Sequence, residues 1–342
     1  MNLTSDAPLA PLTTLGVGGA ARFFIEAKDE KEIEEAIAFA KEQNLPLFVL
    51  GNGSNVLVPD TGIEGVVVKM AIAGVMCENE GESAVLTAGA GTPWEEVVDA
   101  ASGHNLFGIE NLAGIPGTVG GAAVQNIGAY GAELAAVFAY AECIDAVTGE
   151  RSRVGRNEAA FGYRTSFFKK HRELVVVRVA LCLSKKRTPN LAYPDLARAQ
   201  ENGVPLETPA EIASAIRAIR AEKFPYAPNE GTAGSFFKNP VVSSACADAL
   251  AARFPGLPLF PQGEREMKLP LSWLLDHALA LKGFARGKVR LYEQQPLVIV
   301  ARRGATAVEV EAFADEIAER VYKATGIIID REVELFGATK EV

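Results

Sequence analysis

Residues 114–131, GIPGTVGGAAVQNIGAYG, carry six glycines in eighteen positions, and most of the remaining residues are small. A stretch this poor in side-chain volume does not build a good core of its own, so its backbone is expected to come close to something else. A plain flexible loop would not hold Ile115, Val119, Val124 and Ile127 at its interior. The pattern fits a loop whose backbone N–H groups cradle a pyrophosphate, with Thr118, Gln125 and Asn126 as polar handles. No G-x-x-x-x-G-K-[ST] occurs, which excludes a P-loop.

Two other glycine clusters compete for a cofactor role. GVGGAA (16–21) matches G-x-G-x-x-A formally, but it precedes a strand pattern, whereas the dinucleotide fingerprint follows a strand and opens a helix. It is read as a turn into the first strand. LGNGSNVLV (50–58) directly follows an apolar strand pattern. Its two glycines let backbone approach a ligand, and Ser54 and Asn55 offer side-chain hydrogen bonds. The same residues suit a tight strand-to-strand turn, and this motif alone does not decide between the two.

A third short stretch, GTAGSFFKNP (231–240), sets the hydroxyl of Ser235 between small residues and two phenylalanines. Taken alone, it reads equally as a turn whose serine bonds local backbone and as a functional hydroxyl.

With 342 residues the chain exceeds one ordinary core and suggests two or three domains. An apolar content of 49% and a charged content of 23% fit a globular protein. The net charge of −9 argues against a nucleic-acid partner, so an anionic ligand has to be met by local cations or backbone N–H groups. Four scattered cysteines and three scattered histidines support neither a metal site nor a disulfide framework. The start, MNLTSDAPLAPL, lacks a basic and an apolar region, and no run of about 18 apolar residues occurs. A cytoplasmic location without membrane insertion is expected.

Strand and helix patterns are mixed along the chain, so the class reads as α+β. Strands are predicted over 21–27, 45–51 (buried), 65–70, 84–91, 174–184, 296–302 and 327–337, with a hairpin around Thr148-Gly149. A helix over 29–44 takes Asp29 as N-cap, and a second begins at Thr92, with Pro93 at its first position and Glu95 closing a capping box. Further helices are predicted after Thr208, near 243–253 and 271–281, and over 306–325. The polar stretch at 200–210 reads as a boundary.

LGNGSNVLV, GIPGTVGGAAVQNIGAYG, YRTSFFK, GSFFKNP and a terminal REV occur in that order. Together they resemble the UDP-N-acetylenolpyruvoylglucosamine reductase (MurB) family, across residues 11–337. The resemblance implies an FAD-binding fold of the vanillyl-alcohol-oxidase type: one lobe over 1–70 joined by a C-terminal strand at 327–342, a second lobe over 71–205, and a substrate-binding domain over 206–326. It implies reduction of an enolpyruvyl ether to a lactyl ether in peptidoglycan precursor synthesis, and so a part in cell-wall formation, cell shape and division. It further implies that NADPH reduces FAD and leaves, that the UDP-sugar enters the same cleft, and that reduced flavin gives hydride to one alkene carbon while an acid protonates the other.

By the same resemblance FAD is held by Leu50, Gly51, Asn52, Gly53, Ser54 and Asn55 and by Pro116, Gly117, Thr118, Val119, Gly120, Gly121, Gln125 and Asn126. Ser235 matches the family's proton donor and Arg164 its carboxylate-binding arginine, whose planar fork suits a bidentate contact. Glu332 matches the terminal glutamate and, facing a substrate carboxylate, would have to carry its proton. Glu334 is its rival two residues on, and this chain has Asp330-Arg331 where the family often has Glu-Pro. Tyr163, Tyr193, Lys223, Asn239 and Gln295 correspond to substrate contacts. Tyr193 lies in a segment like the insertion of the family's type I members. The run GFARGKVRLYEQQ departs from the family pattern near Gln295. A monomer is expected. The alternatives are a flavin-dependent alcohol or sugar oxidase on the same fold, and a non-enzymatic nucleotide-binding module.

Overall fold

The computed structural model describes residues 2–224 and 229–338. Its chain groups into two compact units. The first takes Met1–Ala7, Ala21–Asn52 and Ile63–Ala221; the second takes Pro8–Ala20, Gly53–Gly62 and Glu222–Val342. Helix Pro209–Lys223, which follows the polar 200–210 stretch, groups with the first unit as far as Ala221. The division near the N-terminus falls inside LGNGSNVLV, between Asn52 and Gly53.

The first unit holds a four-stranded and a five-stranded sheet, besides a two-stranded pair of Gly128–Ala129 with Ala132–Glu133. In the four-stranded one the order is Leu3–Pro8, Ala20–Ala27, Ile63–Met70, Leu47–Leu50, and Ile63–Met70 pairs in parallel with both of its neighbours. Helix Glu30–Glu42 crosses over between Ala20–Ala27 and Leu47–Leu50, the two parallel strands that flank Ile63–Met70. Asp29 caps this helix, its carboxylate accepting from Glu32 N at 2.8 Å, and Ile33, Ala36, Ile37 and Ala40 form the buried stripe expected from their spacing. The strand expected to be buried at 45–51 is instead a sheet edge, with Val49 36% exposed. Apolar run length cannot separate a short edge strand from a central one.

The five-stranded sheet is antiparallel in the order Arg151–Gly155, Phe138–Asp145, Leu174–Ser184, Ser83–Gly89, Val75–Glu80. Helix Trp94–Gly103 lacks the capping box expected of Thr92 and Glu95, and Pro93 rather than Thr92 stands at its N-cap. The Thr92 hydroxyl donates to Gly74 O at 3.2 Å, while Glu95 accepts from Gly114 N at 2.6 Å and pairs with Arg217. Tertiary partners have taken both halves of the local motif.

The glycine-rich stretch is less open than its composition suggests. It forms a short helix, Val119–Gln125, whose Val119, Ala122 and Ala123 are buried in the main core. A Cβ on Gly120 would stand 2.9 Å from that of Ala90, so this glycine permits close packing. Some of the small residues therefore serve the core itself.

In the second unit the strands Glu230–Gly231, Ile299–Arg302, Val289–Leu291 and Ala285–Arg286 form one sheet in that order. Helix Ala307–Thr325 begins with a complete Thr306–Glu309 capping box and ends on Gly326 at φ 75°. Phe236 and Phe237, each 1% exposed, join the core of this unit with Phe313, Ile317 and Ile329. The strand expected over 327–337 is reduced to Glu334–Leu335, and the last four residues of its proposed extension to 342 lie outside the described residues. The segment switches partner midway. Lys238 N donates to Asp330 O and Glu332 N to Phe236 O, after which Glu334 N donates to Asn55 O and Phe336 N to Leu57 O. The split leaves only the two-residue ladder of Glu334–Leu335 with Val56–Leu57 as a strand. Among the described residues no helix is long and apolar enough to cross a membrane.

Candidate active site

In the first unit the two glycine loops meet. Asn52 Nδ2 donates to Gly117 O at 3.4 Å, and a Cβ on Gly51 would lie 2.8 Å from Thr118 Oγ1. Only glycine leaves room for that approach. The Thr118 hydroxyl caps the short helix by accepting from Gly121 N at 3.3 Å. The amides of Asn52, Gly117 and Thr118 donate to no acceptor among the described residues. Three backbone donors on two converging loops form an arrangement that suits a diphosphate, so the residues present fit the cofactor implied by the sequence.

The rest of this loop pair is firmly held. Both polar atoms of Gly114 are bound, the N–H by Glu95 and the carbonyl by Arg220 Nε at 2.9 Å. Burial pulls the Arg220 guanidinium below its usual value. Beside it, burial pushes the Tyr130 phenol up to about 12. Asn126 ends the short helix in the left-handed region (φ 45°), and its side chain is fully engaged: Nδ2 donates to Gly162 O and Glu133, and Oδ1 accepts from Ala135 N. Gln125 Oε1 accepts from Lys169 Nζ at 2.9 Å. Leu50 is buried, whereas Pro116 and Gly121 are exposed at the loop surface.

Arg164 sits at the tip of a two-residue turn closed by Gly162 N to Thr165 O and by Thr165 N to Gly162 O. Its φ of 55° is uncommon for a residue other than glycine. The guanidinium donates to Gly128 O at 2.6 Å and lies 5.4 Å from the Tyr163 ring centroid. Ser166 then caps the helix Phe167–Lys170 and anchors the turn through Val124 O. Tyr193 precedes helix Pro194–Glu201 and meets Tyr130 edge-to-face at 5.0 Å.

In the second unit Ser235 faces Val298 across an isolated antiparallel bridge, and Phe237 faces Arg331 across another. Phe236 N donates to Leu297 O while its carbonyl accepts from Glu332 N at 2.8 Å. The loop is thus clamped on both sides, with the two phenylalanine rings as its buried anchor. The half-buried Ser235 hydroxyl makes no hydrogen bond among the described residues, so the local turn does not consume it. Asn55 fixes the terminal segment from the other side, donating through Nδ2 to Glu332 O at 3.1 Å and accepting from Glu334 N. Glu332 is bonded to the residue that follows Ser235, whereas Glu334 lies on the short ladder with Val56.

Asn239 Oδ1 accepts from Leu271 N at 3.0 Å, at the start of the helix that carries Trp273 and His277. Gln295 Oε1 is buried with no partner among the described residues, the kind of orphan acceptor a ligand donor would satisfy. Lys223 closes helix Pro209–Lys223, one residue short of 225–228, which lie outside the described residues. The sequence reading missed Lys69 and Lys169.

The comparisons with known proteins follow the same outline. A family model described as FAD binding domain matches residues 21–155, and one described as UDP-N-acetylenolpyruvoylglucosamine reductase, C-terminal domain, matches residues 226–336. The chain is 39% identical over 339 residues to the UDP-N-acetylenolpyruvoylglucosamine reductase of Pseudomonas aeruginosa, covering 98% of this chain and 99% of that protein. It is 37% identical over 336 residues to the enzyme of the same name from Escherichia coli O157:H7, covering 98% and 97%. The crystal structure of the Thermus caldophilus reductase is similar with a TM-score of 0.65 and 27% identity, covering 98% of this chain and 99% of that one.

Proposed function

The chain belongs to the UDP-N-acetylenolpyruvoylglucosamine reductase family, and from that premise we propose that it reduces UDP-N-acetylglucosamine enolpyruvate to UDP-N-acetylmuramate with NADPH and FAD. FAD, when bound, supplies the hydride carrier between NADPH and the alkene. The lobes 1–70 and 71–205 are assigned to the cofactor and 206–326 to the nucleotide sugar. The enzyme acts in the cytoplasm as a monomer, and its product feeds cell-wall synthesis, cell shape and division.

Within this reading Asn52, Gly117 and Thr118 give their amides to the FAD diphosphate. Arg164 binds the substrate carboxylate, where negative charge grows as hydride adds to the neighbouring alkene. Ser235 gives its proton to the other alkene carbon. A hydroxyl is a weak acid, but a carbon that has become carbanion-like is basic enough to take its proton. Glu332 faces the same carboxylate in its protonated form. Tyr163, Tyr193, Lys223, Asn239 and Gln295 bind the nucleotide sugar.

One observation supports the assignment: the antiparallel clamp of residues 236–238 onto 330–332, in which Glu332 N donates to the carbonyl of Phe236, the residue that follows Ser235. A turn serving only its own backbone would not need it. The test is consumption of NADPH by the purified flavoprotein. It should occur when UDP-N-acetylglucosamine enolpyruvate is present and stop when the nucleotide is omitted. Oxygen consumption driven by an alcohol or sugar, with no response to the enolpyruvyl nucleotide, would establish the oxidase reading instead.

A further inference from the structure

We infer that Lys69 is the positioning residue of the FAD diphosphate loop, an inference that rests on assigning Gly51–Asn52 and Gly117–Thr118 to the cofactor. Lys69 lies on strand Ile63–Met70, directly opposite Leu50 in the parallel register, one residue before the loop begins. Its ammonium donates to Gly51 O and, at 3.0 Å, to Asn52 Oδ1. Glu26, its partner in register on the other side, pairs with Lys28 at 3.8 Å. The lysine thus turns towards the loop.

The consequence follows from peptide geometry. The peptide joining Gly51 to Asn52 is trans, so its C=O and N–H point in opposite directions. Drawing the carbonyl towards Lys69 turns the Asn52 N–H to the far side, where no acceptor among the described residues meets it. The second bond holds the Asn52 side chain by its oxygen and leaves Nδ2 directed at Gly117 O. One ammonium therefore fixes a peptide plane, an amide orientation and the junction between the two loops. Because it stands on a paired strand and not on the loop, it holds that geometry before the cofactor arrives. Its charge also sits behind a loop assigned to a diphosphate, and burial, opposed by Glu26, holds the ammonium below the usual lysine value.

The experiment strips flavin from the purified enzyme and titrates FAD back into wild type, Lys69→Met and Lys69→Arg. The expected result is a rise of about 10–100-fold in the FAD dissociation constant for Lys69→Met, equal to the loss of one or two charged hydrogen bonds. Lys69→Arg should recover most of the affinity, and the melting temperature of the flavin-free protein should be unchanged in both. FAD binding by Lys69→Met within twofold of wild type overturns the inference. So does a lowered melting temperature with an affinity loss that arginine fails to rescue, because that marks a damaged strand. Amide hydrogen exchange over residues 50–55 of the wild type separates the two layers: it should slow when FAD is added. Unchanged exchange there refutes the cofactor-loop assignment itself, whereas slowed exchange with tight binding by Lys69→Met refutes only the role of the lysine.

Discussion

Arg164 holds a left-handed backbone conformation at a turn tip while its guanidinium reaches Gly128 O. Backbone strain of this kind persists where surrounding contacts over-determine it, here the Gly162–Thr165 pair and the Ser166 cap. The guanidinium thus leaves a fixed turn and is tied to Gly128 O. Replacing it with Arg164→Lys keeps the charge but removes the planar fork proposed to grip the substrate carboxylate, at about 1.5–3 kcal/mol. The enolpyruvyl half-reaction should fall about 10–100-fold in efficiency while flavin reduction by NADPH stays near wild type. Equal loss in both half-reactions, read by rapid mixing, would make Arg164 a structural residue. The residues proposed for this site were nominated from the sequence because Arg, Ser and Glu stood in short recognisable motifs. Lys69 was not, since its meaning depends on a parallel register that sets it beside Leu50, and no local pattern encodes that. Asn126 and Asn55, assigned to the cofactor by the resemblance, also donate their side-chain amides to Gly162 O and Glu332 O.

Between elements, the strand that leads into the Ser235 loop is held by an ion pair. Arg290 on Val289–Leu291 bonds Glu230 on Glu230–Gly231 at 2.7 Å, and both side chains are largely buried. Arg290, joined by Arg302, holds the Glu230 carboxyl below its ordinary value of 4.5, against the opposing effect of burial. A folded-state value depressed below the unfolded one stabilises the fold above the unfolded value. That contribution is lost as pH falls through the folded value. Stability measured by urea unfolding should therefore decline as the pH drops below about 4.5, and Arg290→Met should flatten that decline. An unchanged slope in the variant would assign the acid sensitivity elsewhere. Elements with long periodic patterns, such as Glu30–Glu42 and Ala307–Thr325, were readable because their spacing is local. The Thr92–Glu95 box failed because Arg217, far along the chain, claims Glu95. The terminal strand failed because its hydrogen bonds divide between two loops, a division set by tertiary position alone.

At the scale of the whole chain, a net charge of −9 accompanies a proposed substrate that is itself anionic, so recognition must come from a few placed cations and amides and not from the overall field. The proposed groups are amides at 52, 117 and 118 and the guanidinium of Arg164 in the first unit, and the hydroxyl of Ser235 and carboxyl of Glu332 in the second. The central claim is that this hydroxyl supplies the proton that completes reduction of the alkene. The direct test is anaerobic rapid mixing of Ser235→Ala, following flavin absorbance through each half-reaction. The account predicts that NADPH reduces the flavin at the wild-type rate. Reoxidation by UDP-N-acetylglucosamine enolpyruvate should slow by roughly 10²–10⁴, about 3–5 kcal/mol, as a lost general acid requires. Reoxidation at the wild-type rate, or equal slowing of both half-reactions, would contradict it.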